Sequence, residues 1–152
     1  MLSRSIEITV QGRNTISLLL FRIACILGGA FIVFTGLNNA LGGLETMGWL
    51  GIGDFIATTD AAKYEIRDNH IRFIGGIWAG LGLFMWLAAV NPMRFKQSLY
   101  LVFGLIFLAG FARFTSGNLE LVFGPDILGS LVTELVGMPI FALWLSKLPE
   151  AQ

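Results

Sequence analysis

Asp68-Asn69-His70-Ile71-Arg72-Phe73-Ile74-Gly75-Gly76 passes without a break from a charged entry into a long apolar run. Beyond Arg72 no further charge occurs before Asn91-Pro92, a pair that stops a helix. A helix needs roughly 20 apolar residues to cross about 30 Å of hydrocarbon. The stretch therefore reads as the mouth of a membrane span over residues 71–90, with Arg72 at its lip.

The rest of the chain fits that reading. Its 152 residues suffice for one domain, 55% of them are hydrophobic and only 13% charged. A soluble domain carries about 25% charge, so a monomer of this composition has too little polar surface for water. The formal net charge is zero, which names no charged partner and implies no nucleic acid. The single cysteine, Cys25, cannot form an intrachain disulfide and reads as a buried small hydrophobe.

Three more apolar runs, at residues 16–37, 98–114 and 127–146, complete an all-α integral membrane four-helix bundle over residues 16–150. Pro139 inside the last run predicts a kink. The first run exceeds a signal-peptide core and lacks a small-x-small cleavage site, so it reads as a span that is kept. Arg22-Ile23-Ala24-Cys25 resembles a lipoprotein box, but Arg22 stands where an aliphatic residue is needed. Residues 1–15 form a polar arm with Arg4 and Arg13; alternation over residues 5–10 suits a short strand or an amphipathic arm, and a frayed tail fits equally. Residues 38–69 are the longest polar segment, with Trp49, Leu50, Ile52 and Phe55 supplying an interfacial or partly re-entrant stretch. Thr59-Asp60 within it reads as a capped helix start. Residues 115–126 read as a loop closing in Gly124-Pro125-Asp126.

Four spans put both termini on one side. Arg4, Arg13, Arg94, Lys96 and Lys147 share that side, against Lys63 and Arg67 among many acids on the other. The positive-inside rule then gives cytoplasmic termini and an outward-facing loop between helices 1 and 2. Glycines at helical spacing, including the pair Gly76 and Gly80, predict close helix packing.

Three charges, Arg72, Arg113 and Glu134, fall where charge is expensive and read as one site, an ionic cluster to which three different spans contribute. Glu134 lies roughly 10 Å below the outer surface at about 1.5 Å per residue, and Arg113 and Arg72 lie nearer that surface. Asn38, Asn39 and Asn69 stand at the same rim, while Arg22 sits apart at the cytoplasmic edge of the first run. Each buried charge costs about 2.5–3.5 kcal/mol on insertion scales, so Glu134 is expected to pair with an arginine. Three readings stay open: a structural pair whose arginines snorkel outward, a pocket for a lipid phosphate, carboxylate or quinone carbonyl, and a protonatable carboxylate used in ion movement. His70, with Asp68 and Glu65 near it, is a poor zinc set, because zinc sites want three or four ligands with strong N or S donors. No zinc-protease, phosphate-loop or nucleophile-elbow motif occurs. The expectation is no enzyme, no cofactor and no metal.

Asn69-His70-Ile71-Arg72-Phe73-Ile74-Gly75-Gly76-Ile77-Trp78-Ala79-Gly80-Leu81-Gly82-Leu83 resembles the signature of a bacterial family of small four-helix membrane proteins, defined as a domain of unknown function and distantly similar to DoxX-like proteins. Gly110-Phe111-Ala112-Arg113 and Thr133-Glu134-Leu135-Val136 resemble that family's Arg and Glu positions. The chain departs from it at Ala112, where glycine is frequent, and in the loop around Gly124-Pro125. The resemblance implies an inner-membrane four-helix protein that self-associates, with a trimer favoured, and points to Asn69, Arg72, Arg113 and Glu134. The functional expectation is a non-enzymatic oligomer supporting envelope integrity or lipid organisation, in contact with the bilayer and bound lipid. A quinone- or headgroup-binding redox accessory and a small ion or solute transporter along an oligomer axis are the alternatives.

Overall fold

The computed structural model describes residues 2–46 and 59–149, and among these all regular structure is helical. The elements are α1 (Leu2–Gly42), α2 (Ala61–Val90), α3 (Lys96–Ala112), α4 (Leu119–Val122), α5 (Pro125–Val132) and α6 (Met138–Ser146). Tight 3-10 turns follow α1 at Gly43–Thr46 and α3 at Arg113–Ser116, and a π-helical turn at Thr133–Gly137 joins α5 to α6. Four segments are long and apolar enough to cross a bilayer: Asn14–Glu45, Ala61–Val90, Lys96–Ser116 and Pro125–Ser146. They fit a multi-pass membrane protein. Leu101, Leu108 and Leu143 are each more than 60% exposed, an arrangement that hydrocarbon rather than water accommodates.

Boundaries differ from the sequence reading in places. The alternation over residues 5–10 forms no strand, because α1 runs unbroken from Leu2. Extending an existing helix adds one hydrogen bond per residue fixed, whereas a lone strand would leave its backbone unpaired. The capped helix start read at Thr59-Asp60 is where the second helix begins, at Ala61, and that helix runs without a break through the apolar run. Asp60 caps it: its Oδ1 accepts from the Lys63 backbone N–H at 3.1 Å. The re-entrant reading of Trp49, Leu50, Ile52 and Phe55 lies outside the described residues. The kink expected at Pro139 takes the form of the π-helical turn that precedes it.

The chain divides into two compact units. In the unit Ala24–Leu87, the C-terminal part of α1 packs against α2 backbone to backbone. A Cβ on Gly82 would fall 2.7 Å from the Gly29 carbonyl oxygen, and one on Gly36 would fall 2.8 Å from the Gly75 carbonyl oxygen. Two indoles lock the seam: Trp78 Nε1 donates to Thr35 Oγ1 at 3.0 Å and Trp86 Nε1 to the Ile26 carbonyl at 2.9 Å. Without a hydrophobic drive in lipid, such close approach and polar bonds hold helices together. Gly76 and Gly80 take no part in this seam: a Cβ on either would meet nothing within 4 Å.

In the unit Met1–Ile23 and Ala88–Gln152, the core is aromatic and aliphatic. Phe21 is fully buried, with ring centroids 5.4 Å from Trp144 and 6.0 Å from Phe141. Leu99, Phe103, Ile106 and Leu145 are buried in the same unit. Trp144 Nε1 donates to Ser17 Oγ at 3.0 Å, so the buried indole is satisfied.

An arginine–glutamate pair as candidate functional site

Glu134 is the charged side chain that the described core takes in, with 6% of its surface exposed. Its position follows from backbone chemistry five residues downstream. Pro139 has no N–H, and its ring crowds the carbonyl four residues earlier, that of Leu135. A π-helical turn over Thr133–Gly137, closed by the Met138 N–H donating to the Thr133 carbonyl, precedes the proline and places Glu134 within the irregularity. Turns of this kind recur at functional sites.

Opposite the turn, Gly110 on α3 clears the approach. A Cβ there would fall 2.8 Å from Glu134 Cβ and 2.9 Å from Leu135 Cδ2. Arg113, one turn beyond Gly110, then meets the carboxylate edge-on. Its Nε donates to Oε2 at 2.7 Å and its Nη2 to Oε1 at 2.6 Å. Such bidentate, charge-assisted geometry is the strongest form of the arginine–carboxylate contact. The partners are unequally covered: the Arg113 side chain is 34% exposed and that of Glu134 is 8% exposed. Two guanidinium N–H groups, on Nε and Nη2, meet Glu134. Phe107, Phe111, Phe114 and Phe123 form a chain of rings on the same stretch, with successive centroids 5.1, 6.3 and 5.9 Å apart.

The other sequence candidates have different settings. In its own unit, Arg72 takes Asp68 as its carboxylate, Nε to Oδ2 at 2.6 Å, one helical turn back. It also donates through Nη1 to the Leu41 carbonyl. Asp68 Oδ1 accepts from the Leu44 N–H at 2.8 Å, so the two side chains together finish the C-terminal end of α1, where a cation complements the helix dipole. Gly43 makes room for this, with φ of +64° and a position where a Cβ would run into Asp68. Arg22 does the same for α2, donating through Nε to the Ala89 carbonyl at 2.7 Å and through Nη2 to that of Val90. Asn38 is half-buried near the end of α1 and Asn69 is exposed on α2. His70 is exposed, with Nδ1 2.7 Å from the Ile66 carbonyl. Among the described residues no three His, Cys, Asp or Glu side chains come together to hold a metal, and Asp68 is committed to Arg72 and Leu44.

Sequence reasoning placed Asp68 with His70 and Glu65 and missed it as the partner of Arg72. The i, i+4 spacing of Asp68 and Arg72 was the signal. Gly110 was read as a packing residue, and its role as the clearance for Glu134 needs the neighbouring helix in view.

The chain belongs to the family described as Domain of unknown function (DUF4345), whose model matches residues 20–145, a stretch that takes in Arg22, Arg72, Arg113 and Glu134. No curated protein and no solved structure matches it.

Proposed function

We propose that this member of the DUF4345 family is a non-enzymatic, self-associating protein of the bacterial inner membrane that organises lipid and so supports the envelope. On this reading both termini are cytoplasmic and Arg113 is the point where an anionic lipid headgroup is held. The observation that carries it is the unequal burial of the pair. Glu134 is taken up by the core and fixes one edge of the guanidinium, while the Arg113 side chain as a whole stays partly exposed; on this reading its remaining N–H groups meet the headgroup. An arginine so fixed has already lost its rotamer freedom, which lowers the cost of binding a phosphate.

The test is lipid retention by native mass spectrometry of protein purified from membranes. Wild type is expected to carry phospholipid, Arg113→Lys less, and Arg113→Gln none above the level of a scrambled-site control. Equal lipid in all three would refute the reading.

The ring chain beside Arg113 supports a second reading, a quinone held between aromatic faces with a carbonyl accepting from the guanidinium. Titration of ubiquinone and menaquinone into nanodiscs decides it. Saturable quenching of intrinsic fluorescence that Arg113→Gln abolishes is expected; no saturable signal ends that alternative.

A further inference from the structure

The connection between the third and fourth spans, residues 117–124, carries apolar side chains outward: Leu119, Leu121 and Phe123 are 57%, 52% and 55% exposed. It is not a slack loop. Gly117 N–H donates to the Phe114 carbonyl, Val122 to that of Asn118, Phe123 to that of Leu119 and Gly124 to that of Leu121, all within 3.0–3.2 Å. Asn118 Oδ1 accepts from the Leu121 N–H at 3.0 Å, capping α4. Pro125, which follows, has no N–H to satisfy. Val122 points inward and is buried, and the Phe123 ring meets Phe114 edge-to-face, centroids 5.9 Å apart. The outward residues are thus held in place by an inward one.

Backbone enters a region poor in water only when its polar groups are satisfied internally. Of the eight backbone N–H groups over residues 117–124, those of Gly117, Asn118, Leu121, Val122, Phe123 and Gly124 find partners nearby, which suits a boundary that still holds some water; the segment presents leucine and phenylalanine, and its neighbours on both sides are candidate membrane spans. We infer that residues 117–124 are a membrane-interface anchor that lies in the headgroup–acyl boundary of the leaflet where the third and fourth spans emerge. The occupant of its apolar face is lipid. Glu120 and Asp126, both exposed, keep the segment at the boundary and prevent it from sinking further. Attraction comes from apolar area and not from charge, so neutral phosphatidylcholine suffices. This inference stands apart from the Arg113 headgroup reading.

Full-length protein carrying Cys25→Ala and Leu121→Cys, labelled with an environment-sensitive fluorophore and placed in phosphatidylcholine nanodiscs, provides the test. The expected result is blue-shifted emission, strong quenching by a lipid nitroxide near the glycerol backbone and little quenching by iodide. Leu119→Cys should report the same, and adding Phe123→Ser to it should shift the dye toward water. Iodide quenching equal to that of free dye would overturn the inference, as would strongest quenching from nitroxide at the acyl-chain terminus. Protection from both lipid and aqueous quenchers would also overturn it, because a protein surface would then cover the segment.

Discussion

Arg113 and Glu134 are worth more as a pair than either is alone. Removing one partner leaves the other charge stranded in a setting with little water, a loss of about 3–5 kcal/mol in buried sites. Removing both and filling the space with apolar atoms avoids that penalty. Arg113→Ala should therefore destabilise the protein by about 3 kcal/mol, and Arg113→Met with Glu134→Leu by clearly less, measured by steric trapping in bicelles. A double variant as unstable as the single one would show that a stranded charge is not the source of the loss. Gly110 sharpens the point. A methyl group there meets Glu134 and Leu135 below contact distance, so Gly110→Ala should cost about 1–3 kcal/mol. Gly104, on the same helix, has open space around it, and Gly104→Ala should be neutral or stabilising by under about 1 kcal/mol. The glycines of α3 look alike in the sequence, and only the neighbour across from each tells them apart. In α2 the glycine seam likewise runs through Gly75 and Gly82 rather than the Gly76–Gly80 pair that the G-x-x-x-G pattern selects. Adjacent helical residues point about 100° apart, and composition does not say which side the partner takes.

Pro139 links a helix irregularity to the site. The four apolar runs were legible because a span must be long and uncharged, and the charges inside them stood out for the same reason. The π-helical turn was not legible: a proline signals a break, but whether the helix kinks, frays or takes up an extra residue depends on what the freed carbonyl finds nearby. If the ring imposes the turn, Pro139→Ala lets α5 and α6 join as one regular helix and rotates the segment before it by about 100°. Glu134 then leaves Arg113. The coupling energy between the two, from a double-mutant cycle, should fall toward zero in the Pro139→Ala background; an unchanged coupling would free the proline of that role. At the start of α2 the chemistry is exposed and titrates. The Lys63 side chain and then its backbone N–H hold the Asp60 carboxyl below its ordinary range. Ionised Asp60 thus supports the helix start at pH above that range, and the support is lost as pH falls through the lowered value. Amide exchange at Lys63 and Tyr64 should accelerate across that acidic window and stay flat in Asp60→Asn, which keeps the cap oxygen without the charge.

If all four candidate spans cross the bilayer, the chain returns to the side from which it started, and the question is which side that is. Arginines buried by pairing or by capping a helix end cannot vote. Arg22, Arg72 and Arg113 are all engaged in this way, which leaves the basic residues at span ends to set orientation. Arg94 and Lys96 flank the α2–α3 turn and Lys147 follows α6, and at the other end of α2 Lys63 pairs with Asp60 at 2.9 Å. Cytoplasmic termini follow if the turn and the tail dominate. A carboxy-terminal reporter that is active only in the cytoplasm should then be active in the wild type. Replacing Arg94 and Lys96 with glutamate should shift part of the population to the opposite orientation, and adding lysines to the turn should not. A reporter active only outside the cytoplasm in the unmodified chain would reverse the assignment, and the interface anchor at residues 117–124 would then belong to the inner leaflet.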